Sequence, residues 1–252
     1  VRLSGFMIVG GNAPEAGGGV AVIDGNLELT DCTLRFNKAP LYGGGGLYLR
    51  DSKVTAQRCR FEANTGRQGG AILVDGTAEL RLLDSTVIQN AAVEGGGVRV
   101  KEGAKAELVG CTLADNKVVG DHCAGGALHL SGTTTRAPTV MVSGSIISER
   151  TEGPKCVFNS DKLPGTLTVT RSLLPTWSKD ITGAGNVYGD PAFMMSGTEP
   201  YLLTDKSPAV GAGDATGASA KDVAGRARVR GGKVDLGAFA FMAGGGGGSV
   251  GY

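Results

Sequence analysis

LELTDCTLRFNKAPLYGGGGLYL, residues 27–49, carries a pattern that is repeated further along the chain. In each copy an apolar-x-apolar pair is followed by Cys or Ser, an apolar residue, an asparagine and a glycine run, which leads into another apolar-x-apolar pair. The asparagines of four copies advance by 27, 26 and 26 residues: Asn37, Asn64, Asn90 and Asn116. Asn12 fits a degenerate earlier copy. A period this regular indicates a stack of equivalent units.

The spacing inside each unit predicts the secondary structure. Apolar residues alternate with period two in three short pieces, which is the periodicity of β-strands, and no window of ten or more residues carries a helical stripe. The predicted fold class is therefore all-β: a right-handed parallel β-helix (solenoid) with coils of about 25–30 residues, three short strands in each coil and an irregular C-terminal tail.

This fold gives each repeated position a physical role. The four asparagines are predicted to form a ladder at a corner, where amides bond along the stack and the residue tolerates left-handed backbone. The glycines before the third strand are expected to allow positive φ and close approach of neighbouring coils. Small buried side chains are expected to stack at Cys32, Cys59, Ser85 and Cys111. Two inward apolar stacks are expected on the third strand: Leu47, Ile72, Val98 and Leu128, and Leu49, Val74, Val100 and Leu130.

Composition limits the classes of partner. Glycine accounts for 44 of 252 residues and aromatic residues for only 5%, which suits narrow coils rather than a bulky core. The formal net charge is +1, so no general attraction to nucleic acid is predicted, and no stretch approaches the roughly 20 apolar residues of a membrane span. We expect coils over residues 1–189, with further coils or a cap before Val1, a tail packed on the last coils over 190–242 and a glycine-rich linker over 243–252.

Two further cysteines lie in long corner loops. Cys123 and Cys156 are separated by 33 residues, which is one coil plus an insertion, so they are placed to face each other across the stack. We predict a disulfide between them, which would imply an oxidising compartment. The alternative is two more free thiols.

The closing segment carries several spaced motifs: DPAF at 190–193, SPAVGAGD at 207–214, DVAGR at 222–226 and VDLGAF at 234–239. Together they resemble the C-terminal tail of bacterial secreted right-handed β-helix proteins, and the glycine corners resemble the repeats of polymorphic outer-membrane proteins. The resemblance implies an extracellular or bacterial cell-surface location. It departs at Ala240, where that tail usually carries Glu.

The outward residues of the third strand form the main candidate site: Ala21, Tyr48, Leu73, Arg99 and His129. On one interpretation, Tyr48, Arg99 and His129 line a carbohydrate groove, where Tyr stacks on sugar, Arg pairs with a carboxylate and His or Tyr moves a proton. The alternative is an ordinary solvent-exposed face. No catalytic residue is assigned beyond these three candidates.

Metal and cofactor signals are weak. The aspartates of the tail are able to supply calcium ligands, but no specific calcium motif is present and capping of turns explains them as well. The candidate aspartates are Asp190, Asp205, Asp214, Asp222 and Asp235. No metal site and no cofactor is therefore assigned.

The sequence predicts a secreted or cell-surface protein with a structural, adhesive or glycan-binding role. One alternative is a polysaccharide lyase or glycoside hydrolase that acts on the outer face of the third-strand sheet. The other is a subunit of a larger extracellular assembly, which would self-associate through the ends of the coil stack. The expected partner is a polysaccharide or cell-surface glycan.

Overall fold

The structure is a computed structural model that describes residues 1–120, 125–148, 157–160, 164–176, 181–195 and 199–242. Every regular element among these residues is a β-strand, and the strands of successive repeats pair in parallel. The predicted parallel β-helix is confirmed. In this described part there is no helix long and apolar enough to cross a membrane.

Three long sheets run along the stack, and each takes one strand from each coil. Sheet 1 has seven strands: Arg2–Ser4, Asn26–Thr30, Lys53–Gln57, Glu79–Leu83, Lys105–Val109, Thr139–Ser143 and Thr166–Thr170. Sheet 2 has eight: Met7–Val9, Thr33–Arg35, Arg60–Glu62, Thr86–Ile88, Thr112–Ala114, Ile146–Ser148, Leu173–Leu174 and Val187–Tyr188. Sheet 3 has six: Val20–Ile23, Leu47–Arg50, Ile72–Asp75, Val98–Lys101, Leu128–Ser131 and Val157–Asn159.

The coils also contain a fourth strand, which the sequence analysis missed. A short sheet of two-residue strands follows the asparagine corner: Lys38–Ala39, Thr65–Gly66, Ala91–Ala92 and Lys117–Val118. Three strands per coil were predicted instead of four, because a strand of two residues is too short to show an alternation of apolar and polar positions. The asparagine beside them holds the backbone in pairing register with the next coil.

The apolar core runs through the middle of the stack. Register places Leu47 opposite Ile72, Ile72 opposite Val98 and Val98 opposite Leu128, and the second predicted stack is aligned in the same way. All eight of these side chains are fully buried. Burial of a Leu, Ile or Val side chain contributes about 1.5–3 kcal/mol, so the repeated apolar positions stabilise every coil.

The asparagine ladder is confirmed. The Nδ2 group of Asn37 donates to Oδ1 of Asn64 at 3.0 Å, Asn64 donates to Asn90 at 3.0 Å, and Asn90 donates to Asn116 at 2.9 Å. All four residues are buried. Asn12 does not join the ladder: Gly11 donates its N–H to Asn37 instead, and Asn12 pairs with Lys38 one position later.

The left-handed residue of this corner is not the asparagine. The residue before each ladder position has positive φ: Phe36, Ala63, Gln89 and Asp115, between 51° and 59°. The asparagines keep ordinary backbone angles, since their amides serve as the coil-to-coil link. The left-handed backbone of this corner therefore lies one residue before the asparagine, which tolerates that geometry but does not adopt it.

Glycine before the third strand has the predicted function. Gly69 has φ of +76°, and a Cβ on Gly70 would lie 2.1 Å from the carbonyl oxygen of Gly96 in the next coil. No side chain fits at such a distance, so the glycine run lets adjacent coils approach closely.

The cysteine positions are buried as expected. Cys32, Cys59 and Cys111 are free thiols, and Ser85 lies between Cys59 and Cys111 in the stack. The Ser85 hydroxyl accepts the N–H of Cys59 at 2.9 Å. Burial raises the pKa of Cys59 and of Cys111 to about 12. Cys123 and Cys156 lie outside the described residues, so the disulfide stays a prediction.

The tail packs on the outer face of sheet 2. Phe239 is buried there, and the guanidinium carbons of Arg60 and Arg226 each lie 5.5 Å from the centre of its ring. The carboxylate of Glu199 accepts hydrogen bonds from both arginines, at 3.0 Å from Arg60 and at 3.4 Å from Arg226. Tyr201 is also fully buried. Within the described tail, the strands Phe193–Met194 and Leu202–Leu203 pair in the antiparallel direction.

The aspartates of the tail motifs act as caps of the backbone. Asp222 is fully buried and accepts from the Nε of Arg226 at 2.8 Å and from the N–H of Ala240 at 3.0 Å. Asp235 accepts from the N–H groups of Gly211 and Phe241, both at 2.7 Å. Ala240, which stands where the related tails usually have Glu, therefore contacts the tail through its backbone N–H group rather than through a carboxylate.

Replacement of Asn90 by Ala is predicted to lower the free energy of unfolding by about 4 kcal/mol, because several buried polar groups lose their partner and each costs about 1–3 kcal/mol. The affected groups include the carbonyls of Phe61 and Ile88 and the amide of Asn64. Urea unfolding measures the change. Asn26→Ala, at the exposed first residue of the strand Asn26–Thr30, is the matched control and should change stability by less than about 0.5 kcal/mol. Equal effects of the two variants would contradict the role of the ladder.

Candidate functional site

The candidate row of sheet 3 lies on one line, but it is not an open surface. Register pairs Tyr48 with Leu73, Leu73 with Arg99 and Arg99 with His129. The exposed fractions of these side chains are 4% for Tyr48, 0% for Leu73, 8% for Arg99 and 5% for His129. The expectation of an exposed outer face was wrong for these four residues.

The glycine runs cover the row. Each run folds back over the strand that follows it: a Cβ on Gly95 would lie 2.9 Å from the Cβ of Arg99, and one on Gly125 would lie 2.8 Å from the Cβ of His129. Gly44 and Gly69 approach the backbone of Leu73 in the same way. Sequence periodicity could not reveal this cover, because it is made of backbone.

A polar cluster lies at one end of the buried row. The hydroxyls of Tyr42 and Tyr48 donate to Oδ2 of Asp75 at 2.9 and 3.4 Å, and the Nζ of Lys101 donates to the Tyr42 hydroxyl at 2.8 Å. Lys101 Nζ also lies 3.5 Å from Asp75 Oδ1. Tyr42 thus ties its loop to two later coils, and burial together with the charge of Asp75 raises the pKa of Tyr48 to about 12.

Arg99 and His129 lie further along the same row. The guanidinium of Arg99 forms an ion pair with Glu94 and donates to the Ser131 hydroxyl at 3.3 Å. Burial, with a smaller effect of the neighbouring Arg99 charge, lowers the pKa of His129 to about 4. His129 is therefore neutral at pH 7, and Tyr48 stays protonated. General acid–base groups work best with a pKa near the operating pH, so neither is tuned for proton transfer.

Sheet 1 has a different environment. Its central outward row contains no fully buried residue, and its members are paired in register: Arg2, Glu28, Thr55, Arg81, Glu107, Met141 and Thr168. Arg2, Glu28, Arg81 and Met141 are exposed, and the other three are half-buried. Ion pairs link adjacent coils on this face: Arg81 Nε lies 2.7 Å from Glu107, and Lys53 Nζ lies 3.1 Å from Glu79. The result is a largely polar surface across seven strands, interrupted by the exposed Met141.

The structure also contains a cleft that the sequence analysis did not identify. We call it the tail cleft, and its volume is about 160 Å³. It lies between the corner that joins sheets 1 and 2 and the tail. The corner contributes Asp84, Gly110, Gly144 and Arg171, and the tail contributes Asp214, Thr216, Gly217, Ala218, Ser219, Arg228 and Asp235.

A buried ion pair forms one wall of the tail cleft. The Nε of Arg228 lies 3.2 Å from Oδ1 of Asp84, and both side chains are only 4% exposed. Ser219 donates its hydroxyl to the other oxygen of Asp84, and Nη2 of Arg228 donates to the carbonyl of Gly237 at 2.5 Å. Burial raises the pKa of Asp84, which the hydrogen bond from Ser219 and the charge of Arg228 oppose.

The opposite rim is exposed. Arg171 forms an ion pair with Asp214, whose pKa is lowered by the hydrogen bonds from Thr216 and by the Arg171 charge. The sequence could point to this cleft only through the presence of an acid at Asp84 and of basic residues in the tail. Because 144 residues separate Asp84 from Arg228, their contact could not be predicted from the sequence pattern. Across the described ranges, no three His, Cys, Asp or Glu side chains come together in a way that could hold a metal ion.

The pH dependence of stability tests the environment of His129. The pKa of His129 in the folded state, about 4, is below the unfolded value of about 6.5, so the unfolded state binds the proton first as the pH falls. The free energy of unfolding should thus decline from about pH 6.5 to pH 4, by about 3 kcal/mol from this residue. Urea unfolding at several pH values should show that His129→Gln lacks this part of the decline. Superimposable profiles would contradict the burial of a neutral imidazole.

Comparison with known proteins supports the architecture. A family model described as right handed beta helix region matches residues 11–140. No curated protein and no solved structure matches the chain. The matched segment covers more than half of the 252 residues and coincides with the regular coils and their asparagine ladder. The protein therefore belongs to the family of right-handed β-helix proteins.

Proposed function

We propose that the chain is part of a secreted or bacterial cell-surface protein with a structural, adhesive or glycan-binding role. In the binding role, the outer face of sheet 1 contacts an extended polysaccharide. The observation that carries the proposal is the contrast between the three long sheets. The glycine runs cover the outer face of sheet 3 and the tail covers much of sheet 2, whereas sheet 1 stays open.

The geometry of sheet 1 suits a polymer. Equivalent positions on parallel strands lie about 4.8 Å apart, so the central row offers evenly spaced contacts along seven strands. A long ligand that makes a weak contact with each coil gains avidity from their number.

The side chains of this face suit hydroxyl groups. Carboxylates such as Glu107 accept hydrogen bonds, the guanidinium of Arg81 donates them, and the hydroxyls of Thr55 and Thr168 do both. Exposed ion pairs are worth about 0–1 kcal/mol, so the pair of Arg81 and Glu107 separates at little cost when ligand hydroxyls replace it.

The location rests on the tail. DPAF, SPAVGAGD, DVAGR and VDLGAF are the motifs that resemble secreted bacterial β-helix proteins, and the buried Asp222 and the half-buried Asp235 have capping roles that explain why the motifs need an acid there. The proposal assigns no cofactor. A lyase or hydrolase on the row of Tyr48, Arg99 and His129 is not favoured, since that row is buried and its acid–base groups have pKa values far from neutral.

A glycan array paired with a lyase assay on uronate polymers tests the proposal. We expect binding to at least one polysaccharide and no unsaturated product by ultraviolet absorbance. The double variant Arg81→Ala/Glu107→Ala should weaken binding about tenfold, equivalent to about 1.4 kcal/mol. Asp205→Ala/Lys206→Ala removes the same charges from an exposed turn of the tail and serves as the control.

Three results would contradict the glycan-binding role assigned to sheet 1. Product that disappears in His129→Ala would place catalysis on sheet 3. Equal loss of binding in both double variants would show that sheet 1 is not the contact surface. Absence of any glycan binding would leave only the structural role.

A further inference from the structure

We propose that the tail cleft binds a single neutral sugar unit, such as the terminal residue or a side branch of a glycan. This inference rests on the proposed glycan-binding role and adds a second, more selective contact on a different surface from sheet 1.

The size of the cleft restricts the ligand. Its volume is about 160 Å³. Pockets for drug-sized ligands occupy about 300–1,000 Å³, so the cleft is too small for an oligosaccharide chain. One hydroxylated ring is the class of ligand that this space admits, with the rest of a glycan extending into solvent.

The residues that line the cleft supply both hydrogen-bond donors and hydrogen-bond acceptors. Asp84 and Asp214 supply carboxylate oxygens, Arg171 and Arg228 supply N–H groups, and Ser219 supplies a hydroxyl. A sugar hydroxyl donates one hydrogen bond and accepts others, so it is complementary to a wall of mixed polarity. Sugar hydroxyls are able to hydrogen-bond to the solvent-facing atoms of these groups, which a purely apolar ligand cannot do.

The charge of the cleft selects against anions. Asp84, Asp214 and Asp235 outnumber Arg171 and Arg228, so the lining has a formal excess of one negative charge. A uronate or a phosphate would add another negative charge to this site. The neutral form of a sugar avoids that repulsion and still uses both arginines as donors.

Arg228 is the residue that most needs a further partner. Its Nε and Nη2 are bonded within the fold, but Nη1 is buried and has no hydrogen-bond partner among the described residues. Buried polar groups usually have a hydrogen-bond partner, so this N–H group is available to a ligand at the cleft. A ligand hydroxyl, reached by a small movement of the guanidinium, would complete its hydrogen bonding.

The rim is able to admit a ligand at low cost. Thr216 and Gly217 are exposed, and a Cβ on Gly217 would meet no atom within 4 Å. The ion pair of Arg171 with Asp214 is also solvent-exposed, so its contribution is small and sugar hydroxyls can take its place.

Titration calorimetry with single sugars tests this inference. Glucose, galactose and mannose are the neutral probes, and galacturonate is the charged comparison. We expect at least one neutral sugar to bind. Galacturonate should bind at least tenfold more weakly than the neutral sugar with the highest affinity.

Two tryptophan variants locate the site. Ala218→Trp fills the cleft and should reduce the affinity at least tenfold, whereas Ala220→Trp, on the same tail segment but outside the lining, should leave it unchanged. Asp214→Asn alters an exposed rim carboxylate without changing its size, and should weaken the sugar several-fold even if Ala218→Trp fails to fold.

The outcomes separate the two proposals. If polysaccharide binding through sheet 1 persists but no single sugar binds, or if both tryptophan variants bind equally well, this inference is wrong and the proposed function stands. Tighter binding of galacturonate than of any neutral sugar also overturns it. If single sugars bind in the cleft while Arg81→Ala/Glu107→Ala has no effect on polymers, the inference stands and the role of sheet 1 fails.

Discussion

Hydrogen bonding between equivalent asparagines is the constraint on which the rest of the stack depends. A parallel sheet that slips by one residue moves its apolar side chains from the core to the surface, so register must be fixed in every coil. The amide of each ladder asparagine bonds to the next asparagine and to backbone groups, as Asn90 does with Asn116, Phe61 and Ile88. A displaced coil would bury several unpaired polar groups at once, which makes the aligned arrangement strongly preferred.

The three long sheets differ in which segment of the chain covers their outer faces. Backbone of the glycine runs lies over sheet 3 because a segment without side chains can pass within van der Waals distance of residues such as Arg99. The tail lies over sheet 2, where Phe239 and Tyr201 bury large aromatic surfaces. Nothing in the described part of the chain covers sheet 1 in this way, and its mostly polar outward residues suit contact with water or with a hydrated ligand.

The sequence predicted the parts of this structure that depend on local periodicity. Inward positions such as Ile72 and Val98, the ladder asparagines and the small buried residues follow from a repeat of about 26 residues. The burial of Tyr48 and His129 could not be predicted in this way, since glycine has no side chain to show which face it covers. The tail cleft depends on the contact of Asp84 with Arg228, and no periodicity links a coil to a tail 144 residues away.

The buried thiols have a consequence for chemical durability. With a pKa of about 12, Cys59 and Cys111 carry a thiolate fraction at neutral pH that is about a thousandfold below that of a thiol with a pKa of 9. Thiolate is the form that oxidants and disulfides attack, so folded coils conceal these sulfurs from both. Such a protein is able to carry free cysteines through an oxidising environment without scrambling, and the event that puts them at risk is the opening of a coil rather than the arrival of an oxidant.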